Sequence, residues 1–204
     1  MVLLKKKEGW IMGCDIHLYK EKMIDGKWVS ADTWVKEDGG DGAEYFEVPW
    51  HERFIDRNYS LFGLLCRGVR AEHPYSFTER GMPFDACIEI AENSNRWGCD
   101  GHSHSYLYLH ELKCMLAFLE TVTVNVSGMK DKDQLEELRK SIASGNPDWN
   151  LLWPYCGWAS SDKYEEFDID VPANVMLGDG LKKIISGFDG IDGENHRIVF
   201  WFDN

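Results

Sequence analysis

Cys14-Asp15-Ile16-His17-Leu18-Tyr19 alternates apolar and polar side chains. A period of two marks a strand, with Cys14, Ile16 and Leu18 on one face and Asp15 and His17 on the other. Asp25-Gly26 then offers a two-residue turn, so Lys27-Trp28-Val29-Ser30 reads as the returning arm of a hairpin. At the far end, Arg197-Ile198-Val199-Phe200-Trp201-Phe202 carries enough large apolar groups to fill a central strand. Between these ends, helical spacing appears over residues 61–69, 84–92, 131–143 and 181–185. Shorter strand patterns fall at 122–126 and 167–171. Hairpin, helices and late strands together predict an α+β fold. The expected form is a single compact domain with a mixed or antiparallel sheet, an N-terminal hairpin, a C-terminal strand and several packed helices.

The densest chemistry sits halfway along, in Asp100-Gly101-His102-Ser103-His104-Ser105. If this stretch is extended, Asp100, His102 and His104 project from one face. Ser105 then reads as the N-cap of a helix running through Leu107, Leu109, Leu112, Met115, Leu116 and Leu119. Asp15-Ile16-His17 is a second Asp-x-His unit. On a strand, each unit suits a carboxylate-oriented histidine or chelation of one metal ion. Asp15, His17, His102 and His104 are the ligands if a metal is present. No motif names a metal, and none names a cofactor.

Composition narrows the partners. The 204 residues are 44% hydrophobic and 13% aromatic, with nine tryptophans, which suits one well-buried domain over 12–204. Residues 1–11, with Lys5 to Lys7, read as a flexible extension, and Met12-Gly13 as an alternative start. A net charge of −13 disfavours nucleic acid polymers but leaves room for a small anion held by local arginines. Six scattered cysteines without a Cys-x-x-Cys pair, and no signal-like segment, suggest reduced thiols and a cytoplasmic location. No apolar run approaches the roughly 18 residues of a membrane span. A homo-oligomer is compatible with all of this.

Two resemblances bear on function. Asp100 to Ser105 is similar to the Asp-x-His-x-His signature of polymerase-and-histidinol-phosphatase hydrolases. There, however, the motif ends the first strand of a barrel and more histidines and acids follow. Here it lies mid-chain, with only His110 and His196 beyond it among the histidines, so that barrel is excluded. A broader resemblance covers nearly the whole chain. It rests on Met12-Gly13-Cys14-Asp15-Ile16-His17, Arg57-Asn58-Tyr59-Ser60-Leu61-Phe62 with Val69-Arg70, and Arg80-Gly81-Met82-Pro83. It continues through Asp100 to Leu107 and the ending Val199-Phe200-Trp201-Phe202-Asp203-Asn204. These pieces resemble an abundant bacteriophage family of hypothetical proteins. The resemblance implies phage or prophage origin and action in the bacterial host cytoplasm, and it carries no activity with it.

It does add Arg57, Asn58, Tyr59, Arg70 and Arg80 to Asp15, His17 and Ser105 as candidate ligand-binding residues. Arginine holds phosphate, aromatics stack on bases, and Asp or Asn reads ribose or base edges. The first reading is a protein that sequesters a small anionic nucleotide-like molecule. In a phage context this suggests a host immune signal such as a cyclic nucleotide or an ADP-ribose derivative, and hence counter-defence. The second is a hydrolase of phosphodiesterase type, with His102, His104 and Asp100 as catalytic groups. The third is an acidic protein inhibitor of a host enzyme.

Overall fold

The computed structural model describes residues 13–40, 44–159, 161–188 and 193–203. The expected extension at 1–11 lies outside them. The fold is α+β with antiparallel sheets, and its contacts gather into two compact units. One spans residues 118–176, and the other contains residues 13–117 and 177–203.

The larger unit is built on a four-stranded sheet. β1 (Asp15–Ile24) turns at Asp25-Gly26 into β2 (Lys27–Ser30), as the alternation and turn chemistry require. Both turn residues take positive φ, +50° and +75°, the geometry of a two-residue turn. β5 (His102–Tyr108) and β8 (His196–Asp203) complete the order β2-β1-β8-β5. β8 is central, and Arg197 to Phe202 are buried without interruption. β3 (Val35–Asp38) and β4 (Glu44–Glu47) follow β2 in the chain and form a separate two-stranded antiparallel ribbon. Three helices belong chiefly to this unit. They are α1 (Tyr59–Leu65), α2 (Ile88–Trp97) and α3 (Leu109–Leu119), which ends just past the unit's limit. The short helix α5 (Gly180–Ser186) is the fourth.

The core of this unit holds two buried polar clusters. Arg197 donates through Nε to Glu21 Oε2 at 2.6 Å, and its Nη1 lies 2.9 Å from Asp85 Oδ1. The Arg197 guanidinium also sits 4.0 Å from the Trp28 ring. Glu47 accepts from Tyr19 Oη at 2.9 Å, Asn93 Nδ2 at 3.1 Å and Arg96 Nη2 at 2.8 Å. Satisfying a buried carboxylate in this way is what makes its burial tolerable.

In the smaller unit, β6 (Thr123–Asp131) and β7 (Tyr164–Pro172) form a long antiparallel ribbon. α4 (Lys132–Ala143) packs its Leu135 and Leu138 with Val126, Leu152, Phe167 and Val171. Asp131 caps it by accepting from the N–H groups of Asp133 and Gln134. The buried Lys130 ammonium is held by the carbonyls of Leu152 and Pro154, and burial lowers its pKa.

Three expectations need correction. The helix expected at 61–69 runs from Tyr59 to Leu65 instead, because Cys66 turns extended (φ −146°, ψ 118°), and Gly68 beyond it takes a positive φ of +86°. The helix expected at 84–92 begins at Ile88 instead, after Pro83 and Asp85. Ser105 is not a helix cap: it lies buried inside β5, where Tyr106, Leu107 and Tyr108 continue the ladder against β8 before α3 starts at Leu109. Strand pairing with the central β8 outweighs the local capping signal.

Candidate functional site

A cavity of about 340 Å³ lies against the first half of β1. Asp15, Ile16, His17, Leu18 and Tyr19 all line it, and residues 50–57 close over it, contributing Trp50, Arg53 and Phe54 to Arg57. Trp97 from the end of α2 and Asp203 from the end of β8 complete the wall.

The register of the sheet assembles the polar floor. Asp15 pairs with Asp203 and His17 with Trp201 across β1 and β8. The Asp15 N–H therefore donates to Asp203 Oδ1 at 3.0 Å, while Asp203 Oδ2 lies 3.2 Å from His17 Nε2. His17 is held between indoles, 4.1 Å from the Trp97 ring and 5.5 Å from Trp201, nearly parallel to the latter. Burial pushes the His17 imidazole below its ordinary pKa, against the pull of Asp203. With the ring neutral, Nε2–H donates to the carboxylate and Nδ1 keeps a lone pair. Arg57 grips Asp15 through two bonds of 2.6 and 2.7 Å and holds its carboxyl below the usual range. Arg53 donates to the Val48 carbonyl at 2.5 Å and lies 3.8 Å from Glu47. Three carboxylates (Asp15, Asp56, Asp203) thus meet two guanidiniums that already have partners. The floor is not the cationic cup that the arginine content suggested.

The other sequence candidates go elsewhere. His102 and His104 do not share a face. His102 pairs with Phe202 and Ser105 with Phe200, so Ser103 and His104 together oppose Trp201 in a β-bulge. Ser103 takes φ +53° to allow it. His104 stacks on Trp201 at 5.7 Å, on the His17 side of the sheet. His102 lies over Phe202 on the opposite side, with Nδ1 3.1 Å from Ser103 Oγ, in a groove shared with Arg67 and Arg70. Asp100 lies beside Arg96 and Tyr45 in a shallow depression that also touches Trp97. Among the described residues, no group of three or more His, Cys, Asp or Glu side chains gathers to hold a metal ion.

Arg80 is bound bidentately by Glu111 at 2.6 and 2.8 Å, over the Tyr106 ring, and its N–H donates to Ser105 Oγ at 3.2 Å. Asn58 is the N-cap of α1, accepting from the Leu61 N–H at 3.1 Å. Tyr59 packs on Phe62 beneath the Arg70 guanidinium, whose Nη2 donates to the Gly13 carbonyl at 2.9 Å. Of the sequence candidates, then, the structure brings Asp15, His17 and Arg57 into one cavity. It separates them from Arg80, Ser105 and His102. Asp203, Trp97, Trp50 and Arg53 are among the lining residues that reading along the chain missed. Asp203 follows directly on the apolar run that marks a central strand, and that position was the one sequence signal near it.

No helix among the described residues is long and apolar enough to cross a membrane. No protein-family model, curated protein or solved structure matches this chain.

Proposed function

We propose that this protein binds, and thereby sequesters, a small nucleotide-like molecule in the cavity beside β1. The observation that carries this reading is the cavity's mixed lining. Trp50 and Ile55 stay 69% and 54% exposed at its wall, over a floor of hydrogen-bonding side chains. Its volume is at the lower end of small-molecule sites, and apolar walls with a few convergent polar groups are their usual form. Indole faces stack on heterocycles, while Asp203 and His17 read ring or ribose hydrogens.

The charge balance orients the ligand. The base and sugar sit on the carboxylate-rich floor, and the anionic end stays near Arg57. The Arg57–Asp15 pair is exposed, with 62% and 47% of the two side chains accessible. Solvent screens an exposed pair of that kind, so Arg57 can trade Asp15 for a phosphate at little cost. The resemblance of these segments to phage proteins supports a ligand drawn from the nucleotide signals of host defence. Denaturing freshly purified protein and analysing the supernatant by mass spectrometry tests the reading. A retained nucleotide, or micromolar binding of one from a panel of cyclic nucleotides and ADP-ribose derivatives, is expected. An empty supernatant with no binding across the panel refutes it.

The His17–Asp203 pair favours a second reading, hydrolysis of the same ligand. A neutral imidazole oriented by a carboxylate is the arrangement of a general base. In that case His17 takes the role that the sequence gave to His102 and His104, and turnover of the bound nucleotide disappears in His17→Asn.

A further inference from the structure

Five consecutive strand residues line the cavity, although neighbouring side chains point to opposite faces. A space that touches all five lies along the edge of β1 rather than on one of its faces. Among the described residues that edge is open, for a definite reason. β2 is only four residues long and pairs with Glu21 to Ile24, after which the chain peels away. The Lys20 N–H donates to Asp32 Oδ2 at 2.6 Å and the Lys20 carbonyl accepts from Ala31 N–H at 2.8 Å. In an antiparallel pair, alternate residues direct both backbone groups to the same side. Lys20 faces away from β8, and the register from Asp15 to Lys22 is continuous. Ile16 and Leu18 therefore face away from β8 too, towards the cavity. Asp15 obeys the same parity, since its N–H is turned to Asp203 on β8. Among the described residues nothing hydrogen-bonds to the N–H or C=O of Ile16 or Leu18. Both residues are nevertheless buried, at 6% and 9% exposure.

We infer that this short backbone edge is the specificity element of the site. It recognises a planar heterocycle that carries a hydrogen-bond donor and an acceptor side by side, as the amide edge of a nucleobase does. The inference rests on the proposal that the cavity holds a nucleotide-like ligand, and it names the part of the ligand that is read. Edge length selects a heterocycle over a peptide strand. From Ile16 to Leu18 the edge runs about 7 Å and turns outward the backbone groups of only two residues, whereas paired strands usually run to about 5–6 residues. It is stopped on one side by Asp32 and Ala31 at Lys20 and flanked on the other by the Arg57–Asp15 pair. Backbone groups also explain how a floor whose side chains are already paired can still discriminate. Their cost if left unpaired against a wrong ligand falls on that ligand's affinity.

Amide hydrogen exchange by NMR, alone and with nucleosides, tests this. In the free protein the Ile16 and Leu18 amides are expected to exchange at least tenfold faster than those of His17 and Tyr19. Uridine, guanosine and adenosine are then compared with 3-methyluridine, 1-methylguanosine and N6,N6-dimethyladenosine, whose base edges are blocked. At least one parent nucleoside is expected to slow exchange at Ile16 or Leu18, and its blocked analogue to bind tenfold or more weakly. Slow exchange at both amides in the free protein overturns the edge alone. So does equal binding of parent and blocked nucleosides with those amides unchanged; the cavity reading then stands. Protection of the two amides by a capped alanine dipeptide, with no nucleoside effect, replaces the heterocycle with a strand. Absence of any binding overturns the edge and the cavity reading together.

Discussion

His17 Nε2 lies 3.2 Å from Asp203 Oδ2, a contact between residues 186 positions apart in the chain. It exists because β1 and β8 pair antiparallel, which lays the end of the chain beside its first strand. A buried imidazole gains its acceptor in this way, and the cavity gains its floor.

The pair makes a pH prediction. Burial holds His17 below the ordinary histidine value of 6.5. As pH falls through that value the unfolded chain takes up a proton that the folded chain refuses. The His17 contribution to stability is therefore complete above about pH 6.5 and is lost as pH drops towards the depressed folded value. Histidine-detected NMR should give His17 a midpoint below 6.5, and Asp203→Asn should lower it further by removing the carboxylate that opposes the shift. An upward shift in Asp203→Asn would contradict the assignment.

Trp50 separates binding from folding. Its side chain is exposed, so Trp50→Ala should change stability by no more than about 0.5 kcal/mol. Loss of a base-stacking surface costs about 1–3 kcal/mol of binding, or roughly fivefold or more in affinity. Calorimetric titration beside urea melts reads both quantities. His102→Ala, on the other side of the sheet, should leave the affinity unchanged.

Part of this was legible in the sequence and part was not, for physical reasons. Alternation from Cys14 to Tyr19 is a local signal, and it correctly placed Asp15 and His17 on one face. Asp100 to Ser105 alternates just as regularly, yet Ser103 adopts a left-handed conformation that leaves no mark in residue type. That one bulge sends His102 and His104 to opposite faces. Arg80 looked like a phosphate ligand because its partner, Glu111, lies on α3, beyond α2 and β5, and such a pairing appears only in three dimensions. Register between β1 and β8 was equally invisible, and with it the role of Asp203.

Asn58 illustrates the same limit and gives a third test. As the cap of α1, its replacement in Asn58→Ala should cost about 1 kcal/mol of stability. Ligand affinity should be unaffected, since Asn58 is not among the cavity lining. Urea melts and nucleotide titration of this variant distinguish a cap from a binding residue.

The Arg197–Glu21 pair in the core is almost wholly buried, at 1% and 0% exposure. Removing one partner strands the other, so Arg197→Met should destabilise by about 3–5 kcal/mol. Arg197→Met combined with Glu21→Leu should recover part of that loss. Denaturant midpoints of the two single variants and the double variant decide the point.

The most direct test of the central claim is a backbone NMR map recorded while a bound nucleotide or nucleoside is titrated into the full chain. Shifts should concentrate at Asp15 to Tyr19, Trp50 to Arg57, Trp97 and Asp203, with His102, Arg80 and the 118–176 unit unmoved. Shifts centred on His102 and Arg70, or on Arg80, would contradict a ligand site at the open edge of β1.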